Sequence, residues 1–325
     1  MKAAVVTEQG LVVQQVPEPR PGPEQVLIRL RAIGLNRADL GVAAGHRHGS
    51  IGGPGAIPGL EGAGEVVEVG AEVPDSLRPG MRVMASLPAS YAEYAVADWG
   101  RVTPLPEANM SWEVAASLPI ALQTMHDAVV THGLCKPGSA VMIQGASSGV
   151  GLMGLQIARL MGATVVVGSS THPGRRARLA EFGATLAVDT NDPGWMAQVL
   201  EATGGRGVDT VVDMVSGPLV SQTLSATAIL GRIVNVGRLG GMKAEFDFDL
   251  HAARRISYIG VTFRTRSVAE VREIVRRMRE DLWTPLSEGR LRLPIDRVFS
   301  LDEVEAALAH MRANAHFGKI VMVPG

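Results

Sequence analysis

From residue 139 onward the sequence alternates short apolar strands with helical segments, and this rhythm constrains the fold more than any other feature. Residues 139–145 (SAVMIQG) predict a strand. Residues 149–162 predict a helix, with Val150, Met153, Gly154, Ile157, Ala158 and Met161 at helical spacing. Residues 163–168 (ATVVVG) predict a second strand and residues 175–182 a short helix. Residues 186–189, 194–203, 208–215, 219–230 and 232–237 continue the alternation. Strands that are apolar almost throughout, separated by helices, indicate an α/β fold with a doubly wound parallel sheet covered on both faces.

The flanking stretches read differently. Residues 1 to about 110 are β-rich, with short runs at 2–6, 26–32 and 64–69 punctuated by Pro and Gly. Residues 17–26 form a turn-rich connection. Residues 41–58 hold several glycines and no hydrophobic period, which predicts a loop of functional length. Ser111, with Glu113 two residues on, opens an Ala-rich helix expected to reach about Thr131. After about Pro285 come a helix at 301–311 and a strand at 317–323. A short β-rich end of this kind can rejoin the first domain.

A chain of 325 residues suggests about two domains. Its one cysteine, Cys135, excludes an intramolecular disulfide and a Cys-rich zinc lobe. Lys and Arg total 31 against 32 Asp and Glu, so charge gives no reason to expect nucleic acid or a membrane surface as partner. No apolar run reaches the ~18 residues of a membrane span. The start, MKAAVVTEQG, reads as a strand and not as a signal peptide. The expectation is a cytoplasmic protein with a small-molecule substrate.

The first chemical feature is the turn Gln144-Gly145-Ala146-Ser147-Ser148-Gly149-Val150-Gly151. A glycine-rich turn from strand to helix lets backbone N–H groups approach a pyrophosphate, and the helix N-terminus adds partial positive charge. The match to G-x-G-x-x-G is degenerate: aligned on Gly151, the other two places hold Ala146 and Ser148. Its context, a strand before and a helix after, favours dinucleotide binding over mere packing. The next strand ends in Ser169-Ser170-Thr171 without the carboxylate that would hold a ribose 2′-OH, and Arg175 and Arg176 follow. Hydroxyls and guanidinium groups suit a 2′-phosphate. Cations are disfavoured at a helix N-terminus, so an anionic partner accounts for two of them there. This pattern favours NADP(H) over NAD(H); the alternative is a solvated basic turn.

At this point the chain resembles the medium-chain dehydrogenase/reductase superfamily, in its zinc-independent quinone oxidoreductase branch. The resemblance spans the chain. It rests on GLNRADL, IPGLEGAGEVVEVG, RPGMRVMA, YAEYAVAD, AASLPIALQTMHDAV, KPGSAVMIQGASSGVGLMGLQIARLMGA, GVDTVVDMVSG and FGKIVMV, in that order. It implies a GroES-like β-barrel catalytic domain from residues 1–112 and 286–325, and a Rossmann domain from 113–285. The active site is expected in the cleft between the two. It also implies a homodimer joined at the edge strands of two Rossmann sheets, here residues 255–261.

Zinc-dependent relatives carry a Cys within the segment matching residues 34–39 and a His before the Glu of a G-H-E motif. Here those places hold Asn36 and Leu60, beside Glu61. Leu cannot ligate zinc and an amide is a poor ligand, so no metal is expected. His46 and His48 read as loop histidines at the substrate mouth. Without zinc, alcohol oxidation loses its Lewis acid. Hydride delivery to a quinone or an α,β-unsaturated carbonyl remains, with the carbonyl oxygen polarised by the protein. By resemblance, Asn36 and Asp39 lie at the nicotinamide end, with Gln123 and Thr124 opposite. Asn36, Asp39, Thr124 and His46 are the catalytic candidates. Asn36, Gln123, Thr124, Ser147, Ser148, Gly149, Val150, Gly151, Ser169, Ser170, Arg175 and Arg176 are expected to hold the cofactor. So are Val215, Val236 and Gly237 at strand ends, with Thr262, Phe263, Phe317 and Lys319 closing the nicotinamide half; a solvated Lys319 is the alternative. Asn, Asp and Thr also serve turns and caps. Many relatives place a tyrosine in the loop after the Asn-x-x-Asp segment, and residues 40–51 have none, which leaves the proton donor open among His46, His48 and water. Tyr91 and Tyr94 read as barrel strand. The same architecture serves enoyl reductase domains of polyketide and fatty-acid synthases, so an enoyl-thioester reductase is one alternative. A non-catalytic NADPH-binding protein is the other.

Overall fold

The computed structural model describes residues 1–49, 51–106 and 110–325. Ser50, in the expected loop at 41–58, lies outside them. The chain forms two compact units, Met1–Ile120 with Phe263–Gly325, and Ala121–Thr262.

In the first unit Lys2–Thr7 pairs antiparallel with Gly10–Gln15. A seven-stranded sheet runs in the order Ile295–Ser300, Lys319–Val323, Gln25–Gly34, Glu61–Val69, Arg82–Ser86 and Val102–Pro104, with Tyr94–Asp98 also pairing Gln25–Gly34. Register shifts at Leu27/Ile28 and Leu30/Ala32 bend the long Gln25–Gly34 strand. Its inward residues Val26, Ile28, Leu30 and Ile33 share a core with Leu301, Val304, Leu308 and Met322. Apolar side chains from both parts of the sequence are thus buried together, and the late β-rich stretch completes the early one.

The Val268–Ser287 helix groups with this unit, which resumes at Phe263, whereas the sequence reading runs the middle domain to 285. Its side chains explain why. Arg272 lies 4.6 Å over the Trp99 ring and grips both Asp98 oxygens, at 2.9 and 2.6 Å. Pro285 sits inside the helix, in its last turn.

The second unit carries a six-stranded, wholly parallel sheet in the order Leu186–Val188, Val165–Ser169, Ala140–Gln144, Val208–Asp213, Thr227–Asn235 and Ser257–Gly260. Ala140–Gln144 is buried at every position, as a strand covered on both faces must be. Two helical expectations need correction. The helix from Ser111 breaks after Trp112–Ala116, restarts at Pro119–His126 and continues as a π-helical stretch, Asp127–His132. The proline lacks the N–H that an unbroken helix would use. The helix expected at 219–230 stops at Ala226, because Thr227 pairs with Val208 and opens the next strand. Leu230, at φ 64°, carries the ensuing irregularity. Among the described residues no helix is long and apolar enough to cross a membrane.

Candidate active site

The order of the parallel sheet reverses between Ala140–Gln144 and Val208–Asp213. Sheets of this kind bind ligands at such a switch point, beyond the carboxyl ends of the strands. The glycine-rich turn sits there. Gly145 has φ 75°, which side chains resist, and its N–H donates to Ser169 Oγ at 3.1 Å. Ser148 caps the Gly149–Leu160 helix: its Oγ accepts from the Gly151 N–H at 3.1 Å. A Cβ on Gly151 would come within 2.7 Å of Ala146 Cα and of the Gly145 carbonyl oxygen, so the close approach requires glycine. The N–H groups of Gly149 and Val150 have no acceptor among the described residues. Two orphan donors at the positive end of a helix make an anion site.

Ser169 and Ser170 are buried at the end of the neighbouring strand, and Ser170 Oγ reaches Ser147 Oγ at 3.2 Å. Arg175 and Arg176 occupy the short Pro173–Arg176 turn, capped by His172. Arg176 donates to the Ser170 carbonyl at 2.9 Å and to Asp189 at 2.8 Å. Sequence reading missed Asp189, which follows the third strand and shares the charge of Arg176.

On the other side of the switch point, Asp213 organises the strand ends. Its Oδ1 accepts from the N–H groups of Val215 and Ser216, each at 2.8 Å. Burial raises the Asp213 carboxyl above its ordinary range. Val236 and Gly237 both donate backbone N–H groups to the Asp213 carbonyl, at 2.8 and 3.1 Å. Val215, Val236 and Gly237 are half-buried on these turns, and Thr262 is half-buried past the edge strand. Gln123 and Thr124 are buried on the Pro119–His126 helix, and Gln123 Oε1 has no partner among the described residues.

In the first unit the structure gathers Asn36, Asp39 and Lys319, and adds Glu61 and Tyr91. Asn36 donates its N–H to Asp39 Oδ2 at 2.8 Å and its amide to Glu61 Oε1 at 2.8 Å, and its Oδ1 accepts from Lys319 Nζ at 3.2 Å. Lys319 also donates to the Leu35 carbonyl at 2.9 Å and pairs with Glu61 Oε1. The second Glu61 oxygen accepts from the Ile120 N–H at 2.8 Å. Gly34 makes room, since a Cβ there would lie 2.7 Å from Glu61 Oε1.

The solvated alternative for Lys319 and the strand placement of Tyr91 change here. Lys319 is not solvated: it is 3% exposed and its three N–H bonds are all used within this cluster. Tyr91 precedes its strand and is fully buried, donating its hydroxyl to Asp39 Oδ2 at 3.0 Å. Burial pushes the Asp39 carboxyl up to about 7, although the Asn36 and Tyr91 hydrogen bonds oppose the rise. Burial also raises the Tyr91 phenol, with Asp39 adding to it. Asp39 Oδ1 has no partner among the described residues. His46 is exposed on the turn after Arg37–Ala43, outside this cluster. Phe263 is half-buried, and Phe317 is buried with its N–H on Asp296 at 3.1 Å.

Comparison with known proteins finds two family models in different parts of the chain. The family model of the alcohol dehydrogenase GroES-like domain matches residues 22–107, and that of zinc-binding dehydrogenases matches residues 149–280. The highly reducing polyketide synthase gloL of Glarea lozoyensis is 30% identical over 307 residues, which are 93% of this chain and 12% of that protein. The chain thus spans about an eighth of the length of the curated relatives it matches. A solved mycobacterial quinone oxidoreductase superposes with a TM-score of 0.88 at 25% identity, covering 100% of both chains. An NAD-dependent alcohol dehydrogenase superposes at 0.85 with 28% identity, also over 100% of both chains.

One matching family is described as zinc-binding, and the residues here do not fit that metal. Asn36 and Leu60 stand at the expected ligand places, and both oxygens of Glu61 are already bonded to Lys319, Asn36 and Ile120. Among the described residues no three His, Cys, Asp or Glu side chains converge to hold a metal.

Proposed function

The chain belongs to the medium-chain dehydrogenase/reductase superfamily of oxidoreductases, and on that premise we propose that it is an NADPH-dependent, zinc-independent reductase of quinones or α,β-unsaturated carbonyls. The observation that carries this reading is Glu61, whose charge is neutralised by a buried ammonium. With that carboxylate already satisfied, the site favours acceptors whose own carbonyl spreads the developing charge.

The residues fit a dinucleotide. The orphan N–H groups of Gly149 and Val150, on a twelve-residue helix, would hold the pyrophosphate. Ser169, Ser170, Arg175 and Arg176 would receive the 2′-phosphate, with Asp189 fixing Arg176 in direction. Val215, Val236 and Gly237, clamped through Asp213, offer a fixed wall at the strand ends. The bound reduced nicotinamide would supply the hydride. Thr124 and Asn36 are the candidates to orient the acceptor. Asn36 would do so as a rigid surface, because its amide is engaged on both sides. The proton reaches the product from His46, His48 or water. The exposed edge strand Ser257–Gly260 is the proposed homodimer contact.

A second reading is an enoyl-thioester reductase. It is favoured by the polyketide synthase relatives, which match more than nine-tenths of this chain. The test begins with a fluorescence titration of NADPH against NADH after dialysis with chelator. Tighter NADPH binding that chelation leaves unchanged is expected. A panel of quinones, enones and enoyl thioesters then ranks acceptors by kcat/KM. A preference for NADH would overturn the reading of Ser169 to Arg176. Binding without turnover of any acceptor would leave a non-catalytic NADPH-binding protein.

A further inference from the structure

A cavity of ≈ 620 Å³ opens within the second unit, between the ends of the Val208–Asp213 and Thr227–Asn235 strands and the edge strand that carries Tyr258. That volume is typical of small-molecule sites. Its floor is polar and buried. Ser216 and Asn235 are 7% and 8% exposed, and the Asn235 amide donates to Ser216 Oγ at 2.5 Å. Ser216 has φ 58° and ψ −148°, a conformation that L-residues seldom adopt and that tends to cluster at ligand sites. Asp213 holds it there through the Ser216 N–H, at 2.8 Å.

The walls are aromatic. Phe246 packs against Phe248 at 5.0 Å, His251 at 5.3 Å and Tyr258 edge-on at 5.9 Å. Phe248 is 77% exposed, an unusual setting for so large an apolar ring. Burial raises the Tyr258 phenol and Asp213 adds to the rise, while Ser216 and Arg238 oppose it, which places its hydroxyl among these groups. Two cations, Arg238 and Lys243, line the same cavity, and the charge of Arg238 also acts on the buried Asp213 carboxyl. The acidic Glu245, Asp247 and Asp249 of the same segment are not among its lining residues.

An aromatic box with a hydroxyl-bearing floor and two cationic side chains in its lining suits one kind of ligand. We propose that this cavity binds a planar aromatic anion, its ring among Phe246, Phe248 and Tyr258 and its acid group toward Arg238. The site goes beyond the hydride-transfer reading; its floor adjoins Val215, Val236 and Gly237, and its Tyr258 wall lies on the edge strand proposed as the homodimer contact.

Direct binding tests it, with the whole protein and 2-naphthoate as probe, followed by calorimetry with and without saturating NADPH. Saturable binding at one site, retained with NADPH present, is expected. Neutral 2-naphthalenemethanol should bind at least about tenfold more weakly, since a charge-assisted hydrogen bond is lost. Arg238→Ala should weaken the anion by about the same factor, and Phe248→Ala by several-fold. The exposure of Phe248 makes its variant a safe one to fold, and thermal melts check both. Absence of saturable binding overturns the proposal, as does equal affinity in wild type and Arg238→Ala. Displacement of the probe by NADPH would assign it to the cofactor site and overturn the proposal equally. None of these outcomes reads on turnover, so a failed reductase assay and a failed binding assay remain distinguishable.

Discussion

The two units hold buried polar groups to opposite ends. In the first, Glu61, Lys319 and Asn36 form a closed set, in which the three donors of Lys319 and both oxygens of Glu61 have protein partners. In the second, the Gly149 and Val150 N–H groups are presented without acceptors, beside seryl hydroxyls and arginines. A closed set fixes geometry and has nothing left to offer a ligand. An open set is costly unless water or a ligand completes it. Charge near a motif therefore says little about binding until its partners are counted.

The largest expected effect comes from opening the closed set. Lys319→Met strands the Glu61 charge in the interior and should cost ~3–5 kcal/mol, read from urea unfolding. Adding Glu61→Gln should recover much of that loss. A single variant of near-native stability that instead weakens NADPH would move Lys319 to the open class.

Asp39 sharpens the same contrast through pH. Its folded value of about 7 lies above the ~3.9 of an unfolded Asp, so the native state binds more protons between those values. Its neutral form is the tolerated one. Stability should be greatest below the unfolded value, fall as pH rises toward 7, and level off above it. The full difference is about 4 kcal/mol as an upper bound. Asp39→Asn should flatten that slope, measured as urea midpoints at pH 5 and pH 8. An equal slope in wild type and variant would assign the dependence elsewhere.

In the open set, Arg175→Ala with Arg176→Ala should weaken NADPH more than NADH, by about tenfold or more. Equal loss of both cofactors would reduce the pair to a structural clasp on Asp189. The smallest effect is Ser148→Ala, which removes a helix cap and should cost ~1 kcal/mol in thermal or urea unfolding.

Legibility in the sequence follows the range of the interaction. The parallel sheet was readable because its central strands are covered on both faces and so carry apolar runs. The turn at Gly145 was readable because strand, glycines and helix are contiguous. Lys319 and Glu61 are separated by 258 positions, and nothing local to either marks the other. Tyr91 and Asp39, 52 apart, pose the same difficulty. Asp189 is nearer, but its partner depends on how the third strand aligns with the second. The Val268–Ser287 helix did carry a signal, with Val271, Ile274, Val275, Met278 and Leu282 buried at helical spacing. Its assignment to the first unit rests on Arg272 meeting Trp99 and Asp98, again a long-range event.

The strand Lys319–Val323 lies between Ile295–Ser300 and Gln25–Gly34. On a ribosome that arrangement sets a timetable. The Gln25–Gly34 strand emerges first of the three, and one of its ladders waits until about 285 further residues have been made, tens of seconds later at ~5–20 residues per second. The Ala121–Thr262 segment is complete well before then. During synthesis the middle of this chain can therefore finish first, while the opening residues depend on their neighbours or on chaperones to stay unaggregated until the last strand arrives.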